Sequence, residues 1–179
     1  MGSFFAYVFE EKLNLYFRLL RTLLLTFFQP KVAFHDQVRL NFLVWPTDLD
    51  LNMHMNNGRY LTLMDLGRLQ LMMRTGLLKF ILRNHWMPVL GAVSMRYRRP
   101  LAPLRRFTLA TRLLSWDEKW FYIEHKFLVK EEVMAVAVVR AVILAKGKSL
   151  PTTTITRLVG GSSAPPEPPP AHLFADSKP

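Results

Sequence analysis

Cysteine is absent from this 179-residue chain. That absence removes disulfides, thiolate nucleophiles and cysteine-based zinc sites. Glycine is scarce, at eight residues, and none of it builds a phosphate-cradling loop of the GxGxxG or Walker type. The five histidines, His35, His54, His85, His125 and His172, are scattered without HExxH or a comparable spacing, so no metal is expected. Acidic residues are outnumbered, 13 against 24 basic ones, for a formal net charge of +11. That excess favours anionic partners such as coenzyme A, anionic lipid or nucleic acid. No nucleic-acid motif or basic helix accompanies it, so nucleic acid is not expected. No cofactor is implied by any motif.

A long uncharged apolar run is missing too. The segment from about Phe4 to Phe28 is rich in leucine and phenylalanine, but charges at 10–12, 18 and 21 interrupt it, which disfavours a membrane span. A signal peptide is not expected, because a basic start and a small-residue cleavage site are both lacking. The spacing predicts an amphipathic helix within 1–30. Glu10, Glu11, Asn14, Arg18, Arg21 and Thr22 gather on one side, and Phe5, Val8, Phe9, Leu13, Phe17, Leu20, Leu24 and Phe27 fill the other. Pro30 ends it. Such a helix fits a membrane interface, giving a cytoplasmic protein with peripheral membrane contact. The alternative is packing on its own domain or on a partner subunit.

Half of the residues are hydrophobic, enough for one domain with appendages. Residues 31–150 read as that domain. Val38, Leu40, Phe42 and Val44 alternate as a strand within 37–45. Residues 58–75 have helical spacing, with Asn56 or Asn57 as N-cap, and a shorter helix runs from Gly76 to about His85. Strands follow at 89–98, 107–114, 120–129 and 133–145, joined by short polar turns. The order predicts an α+β fold, an antiparallel sheet with a buried helix on one face. After Pro151 the Pro/Gly/Ser-rich stretch 151–179 reads as a disordered tail.

Between the first strand and the buried helix lies Asp48-Leu49-Asp50-Leu51-Asn52-Met53-His54-Met55-Asn56-Asn57-Gly58-Arg59-Tyr60. It holds two carboxylates, an imidazole and three carboxamides. A short connection rarely needs so many proton-moving groups unless it carries function. Asp50 can serve as general base or nucleophile, or simply cap a turn. Asn52 suits holding water or a carbonyl. His54 suits orienting the carboxylate or sharing its proton. Backbone N–H groups at Asn57 and Gly58, at a helix start, suit an oxyanion.

This segment resembles the active-site loop of the hotdog-fold acyl thioesterases, the 4-hydroxybenzoyl-CoA thioesterase-like superfamily. That loop often reads D-x-D-x-x-G-H-V-N-N-x-x-Y. Asp48, Asp50, His54, Asn56, Asn57 and Tyr60 fall on the pattern, with Met53 at the glycine. A similar loop in plant acyl-carrier-protein thioesterases reads D-L-D-x-N-Q-H-V-N-N, which Asp50, Asn52 and His54 also match. Asp65 with Arg68, Arg96–Leu101 and Thr111–Asp117 further resemble the group of thioesterase superfamily member six, over about residues 38–145.

The resemblance implies a hotdog fold, a curved antiparallel sheet around a central helix, assembled as a homodimer or higher homo-oligomer with sites between subunits. It implies hydrolysis of acyl-CoA or acyl-carrier-protein thioesters to free acid and thiol. The position matching Asp50 is general base or nucleophile, assisted by Asn52 and His54. Asp65 is the reserve carboxylate, because some hotdog enzymes use one on the central helix; a plain ion pair with Arg68 is the alternative. Substrate contacts are expected from Asn57, Gly58 and Tyr60, and from Ser94 near the thioester. Arg96, Arg98 and Arg99 suit coenzyme A phosphates, or else form a solvated edge. A hotdog hydratase is the rival enzyme, but its D-x-N-P-x-H motif places His five residues after Asp, whereas His54 follows Asp50 by four without proline. A non-catalytic, membrane-associated acyl-binding protein is the rival from another class.

Overall fold

Alternating apolar side chains build the sheet, and one long helix fills its curve. The computed structural model describes residues 2–161, 165 and 167–174, with side chains of the first helix from Asn14 onward. The chain runs α1 (Gly2–Phe27), β1 (Val38–Leu43), α2 (Asn57–Arg74), α3 (Leu77–Arg83), β2 (Met87–Tyr97), β3 (Arg106–Trp116), β4 (Phe121–Val129), β5 (Glu132–Ala145), β6 (Lys148–Ser149) and α4 (Thr152–Leu158). The strands pair antiparallel in the order β1-β3-β4-β5-β2, with the short β6 on β5. This is the hotdog arrangement that the sequence leads one to expect. β1 and β2 are its edges.

α2 packs on the concave face. Leu63, Met64 and Leu66 meet Leu109, Phe127 and Val139 in the main core. Asn56 caps the helix, its side chain accepting the Gly58 N–H. Gly76, at φ +80°, supplies the left-handed turn that separates α2 from α3. Helix and sheet approach closely at Gly67, where a Cβ would stand 2.4 Å from Thr111 Oγ1. A second cluster joins Leu77 and Ile81 of α3 to Trp116, Phe121 and Ile155. Ile155, in α4, is fully buried, so the chain still contributes to the core beyond Pro151. On the convex face Leu114, Tyr122 and Val138 pack with Phe174.

α1 packs beside α2 and against the loop before it, and its orientation is unusual. The polar stripe faces inward: Arg18, Thr22 and Thr26 are buried. The apolar stripe faces outward, with Phe17, Leu20, Leu24 and Phe27 exposed at 62%, 55%, 54% and 77%. No helix among the described residues is long and apolar enough to cross a membrane.

Candidate active site

The loop between β1 and α2 is tied into a compact turn by its own backbone. A bridge pairs Leu49 with Met55. The Asp50 N–H donates to the His54 carbonyl (2.8 Å), and the Met53 N–H donates to the Asp50 carbonyl (3.1 Å). Asp50 Oδ1 accepts the N–H groups of Asn52 (2.9 Å) and His54 (3.2 Å). One carboxylate oxygen is therefore fixed by the turn. Oδ2 has no hydrogen bond among the described residues, and the side chain is half-buried. Asn52 and His54 thus reach Asp50 through backbone N–H groups; their side chains form no hydrogen bond with it. Met53 adopts φ +57°. This left-handed geometry favours glycine, so Met53 carries backbone strain at this turn.

The helix start is partly committed. The Gly58 N–H is taken by Asn56 Oδ1 at 2.8 Å, so of the two expected oxyanion donors the Asn57 N–H is the one left open in the first turn. Tyr60 is buried, its ring edge-on to Tyr97 (5.1 Å) and Phe127 (4.8 Å). Burial pushes its hydroxyl up to about 12; the Leu101 backbone opposes this, while Tyr97 and Asp50 add to it. Tyr60 thus stays protonated.

Asp48 organises this loop from beneath. It is 1% exposed. Arg18 of α1 donates to it twice, Nη2 to Oδ2 at 2.6 Å and Nη1 to Oδ1 at 3.2 Å. The Trp45 N–H donates to Oδ2 (2.9 Å), and Arg59 Nε lies 3.5 Å from Oδ1. The Asn56 N–H donates to the Asp48 carbonyl (2.8 Å). Asn14 of α1 adds a bond to Thr47 Oγ1 (2.8 Å). Sequence patterning places Arg18 on the polar side of α1 but gives no sign of its partner. The available signal is a cation set among apolar residues of a helix, followed by an acidic loop.

A separate apolar cavity of about 330 Å³ lies beside the second half of α2, lined by Leu71, Met72, Val89, Ile123 and Ile143 together with Asp65 and Arg68. Asp50, Asn52 and His54 do not line it. Asp65 is exposed and forms an ion pair with Arg68. Arg68 Nη1 reaches His125 Nε2 at 3.5 Å, and His125 Nδ1 lies 3.0 Å from Thr111 Oγ1. Burial, and secondarily the charge of Arg68, hold the His125 imidazole well below its usual pKa, hence neutral. A neutral imidazole accepting from Arg68 donates through Nδ1–H to Thr111.

The β2 residues divide by face. Val93 and Met95 pack against the main core, whereas Ala92 packs on the convex side. Strand alternation therefore puts Ser94 and Arg96 on the convex face, away from α2 and the Asp50 loop. Ser94 and the Asp50 loop are therefore not brought together within one subunit. Arg98 and Arg99 sit just past β2, both donating backbone N–H groups to the Met134 carbonyl (2.9 and 3.0 Å). The Arg99 side chain is paired with Glu132, and Arg98 is exposed. Among the described residues, no group of three or more His, Asp or Glu side chains converges to hold a metal ion.

Comparison with known proteins bears on this geometry. A family model described as the thioesterase-like superfamily matches residues 44–173. Protein THEM6 of Danio rerio is 44% identical over 85 residues, covering 48% of this chain and 42% of that protein. Protein THEM6 of Drosophila melanogaster is 34% identical over 120 residues, covering 66% and 60%. The chain thus spans about half the length of the curated relatives it matches. Among solved structures, YbaW of Escherichia coli, named a probable thioesterase, superposes with a TM-score of 0.64 at 20% identity, covering 68% of this chain and 94% of that one.

Proposed function

The chain belongs to the thioesterase-like superfamily, and we propose that it hydrolyses acyl thioesters of coenzyme A or acyl-carrier protein, with Asp50 as the working carboxylate. The observation that carries this reading is the asymmetry of Asp50: Oδ1 is pinned by two backbone N–H groups, and Oδ2 is unengaged among the described residues. A carboxylate fixed at one oxygen presents the other in a defined direction. As general base, Oδ2 takes a proton from water as the oxygen attacks the carbonyl. The C–S bond then breaks, and the leaving thiolate receives a proton. As nucleophile, Oδ2 forms a mixed anhydride with loss of the thiolate, and water cleaves the anhydride. The Asn57 N–H and the Tyr60 hydroxyl are the donors for the developing oxyanion. The side chains of Asn52 and His54 are clear of Asp50 and can meet the incoming thioester. Arg98 and Arg99, with Arg96 behind them, serve the phosphates.

Two features support a homodimer. β2 is an edge strand with an unpaired side, and an apolar edge of this length invites a partner strand. Tyr60, in the first turn of the helix after the Asp50 loop, meets Tyr97 at one end of β2, while the apolar cavity adjoins Val89 at the other. Antiparallel pairing of two β2 strands about a two-fold axis brings the loop of one subunit toward the acyl-sized cavity of the other. The outward apolar face of α1, with Arg21 beside it, supports peripheral contact with a membrane. Mixing inactive Asp50→Asn subunits with subunits whose cavity is filled by Ala141→Trp tests the shared site: activity should reappear in the mixture. Persistent inactivity of the mixture would remove the inter-subunit arrangement.

A further inference from the structure

The N-terminal helix grips the loop that carries Asp50, and the buried part of that grip among the described residues is the Arg18–Asp48 ion pair, with Asn14 adding its bond to Thr47. Arg18 and Asp48 are 6% and 1% exposed. Their two hydrogen bonds have the parallel fork geometry that restricts orientation as well as distance. Arg18 also donates to the Leu43 carbonyl at 2.9 Å, so one guanidinium joins the end of β1 to the loop. Asp48 in turn holds both loop ends, through the Trp45 N–H and through its own carbonyl to the Asn56 N–H. Asp50 is two residues away, and its side chain has no independent anchor to the body of the domain among the described residues. A buried ion pair is a poor device for stability alone, since desolvation offsets most of its attraction; its better-attested use is to fix one arrangement among several.

We propose that Arg18 is a positioning residue: through Asp48 it sets the loop so that the free oxygen of Asp50 faces the thioester, making α1 a structural part of the active site. This rests on the Asp50 reading above. α1 therefore has two duties on two faces. Its inner stripe aligns the loop, and its outer stripe remains available to a surface.

The test uses the full chain. Arg18→Met removes the charge and keeps the bulk, Arg18→Lys keeps the charge and loses the fork, and Arg18→Met with Asp48→Asn removes both charges where the single variant folds poorly. Arg21→Met is the control, because among the described residues Arg21 reaches the Asn41 carbonyl from an exposed position and makes no bond to the loop. Misplacement on the ångström scale can cost about 100-fold in rate. Arg18→Met should lower kcat on a water-soluble acyl-CoA by about 10- to 100-fold with KM within about twofold, and Arg18→Lys should fall between it and wild type. Amide hydrogen exchange over residues 45–56 should quicken in Arg18→Met and stay unchanged in Arg21→Met. A folded Arg18→Met protein with wild-type kcat, or with wild-type exchange in that segment, overturns the proposal. A lowered melting temperature with kcat per folded molecule unchanged also overturns it. Should the wild type hydrolyse no acyl thioester, the thioesterase reading fails, and the exchange rates alone still decide whether Arg18 sets the loop.

Discussion

Gly67→Ala sets two physical effects against each other. Within α2, alanine is the better helix former, which alone would stabilise the protein by about 1 kcal/mol. The new methyl carbon, however, would stand 2.4 Å from Thr111 Oγ1 and 3.1 Å from Leu109 Cδ2. Both neighbours are buried on β3. Overpacking of a filled core costs about 1–3 kcal/mol. Thr111 is also the hydrogen-bond partner of the fully buried His125, and losing that partner costs about 1–3 kcal/mol more. The sum predicts net destabilisation of about 1–5 kcal/mol, a drop in melting temperature of roughly 3–15 °C for a chain of this size. Thermal unfolding followed by circular dichroism reads it directly. A raised melting temperature would refute the reasoning, because it would mean that helix propensity outweighs the helix–sheet contact. Thr111→Ala in the same background should cost less than the two single changes added together, since the clash disappears with the hydroxyl.

Met53→Gly should leave stability unchanged or raise it by up to about 1.5 kcal/mol, because relief of the left-handed strain (about 1–2 kcal/mol) matches or exceeds the added chain entropy (about 0.5–1 kcal/mol); urea midpoints check it, and a clear loss would contradict it. His125 has a folded pKa depressed below its ordinary value, so below about pH 6.5 the unfolded chain binds a proton that the folded one refuses. Stability should then be full above about pH 6.5 and fall with decreasing pH by up to about 1.4 kcal/mol per unit; unfolding at pH 7 and pH 5 should show a steeper loss in wild type than in His125→Gln, and equal losses would contradict the assignment. Leu20→Asp with Leu24→Asp should abolish flotation with anionic phosphatidylserine-containing vesicles, and unchanged partitioning would remove the membrane contact. Point changes suit this test better than deletion of residues 1–30, which would also release Asp48 from Arg18.

Regular elements were legible where one period dominated. Alternation at 38–44 marked β1, the polar turns after Trp116 and Val129 marked the β3–β4–β5 meander, and Asn56 announced the start of α2. The amphipathic pattern of α1 gave the two faces but not which one turns inward, because a buried arginine is acceptable only with its partner, and Asp48 lies 30 residues away. Alternation put Ser94 in the same row as Arg96 and Arg98 but could not say that this row faces away from α2. Hydrophobic cues beyond Pro151 were outweighed by the Pro/Gly/Ser composition that follows, so α4 and the burial of Ile155 were hidden. In the site, the sequence singled out Asp50 and its neighbours. It did not reveal that Asn52 and His54 reach Asp50 by their backbones, since loop hydrogen bonding depends on dihedrals such as the positive φ of Met53, which composition does not encode. The Arg68–His125–Thr111 chain was hidden for another reason: it joins α2 to a β3–β4 cross-strand pair that lies far along the sequence from Arg68.

Free-thiol release from acyl-CoAs of graded chain length, with wild type beside Asp50→Asn, tests the central claim most directly. The asparagine keeps the Oδ1 contacts to the Asn52 and His54 N–H groups and removes the charged oxygen. The account predicts measurable hydrolysis by wild type and a loss of at least about 100-fold in kcat for Asp50→Asn, as befits removal of a base or nucleophile. Equal rates in the two proteins, or no hydrolysis at any chain length, would contradict it.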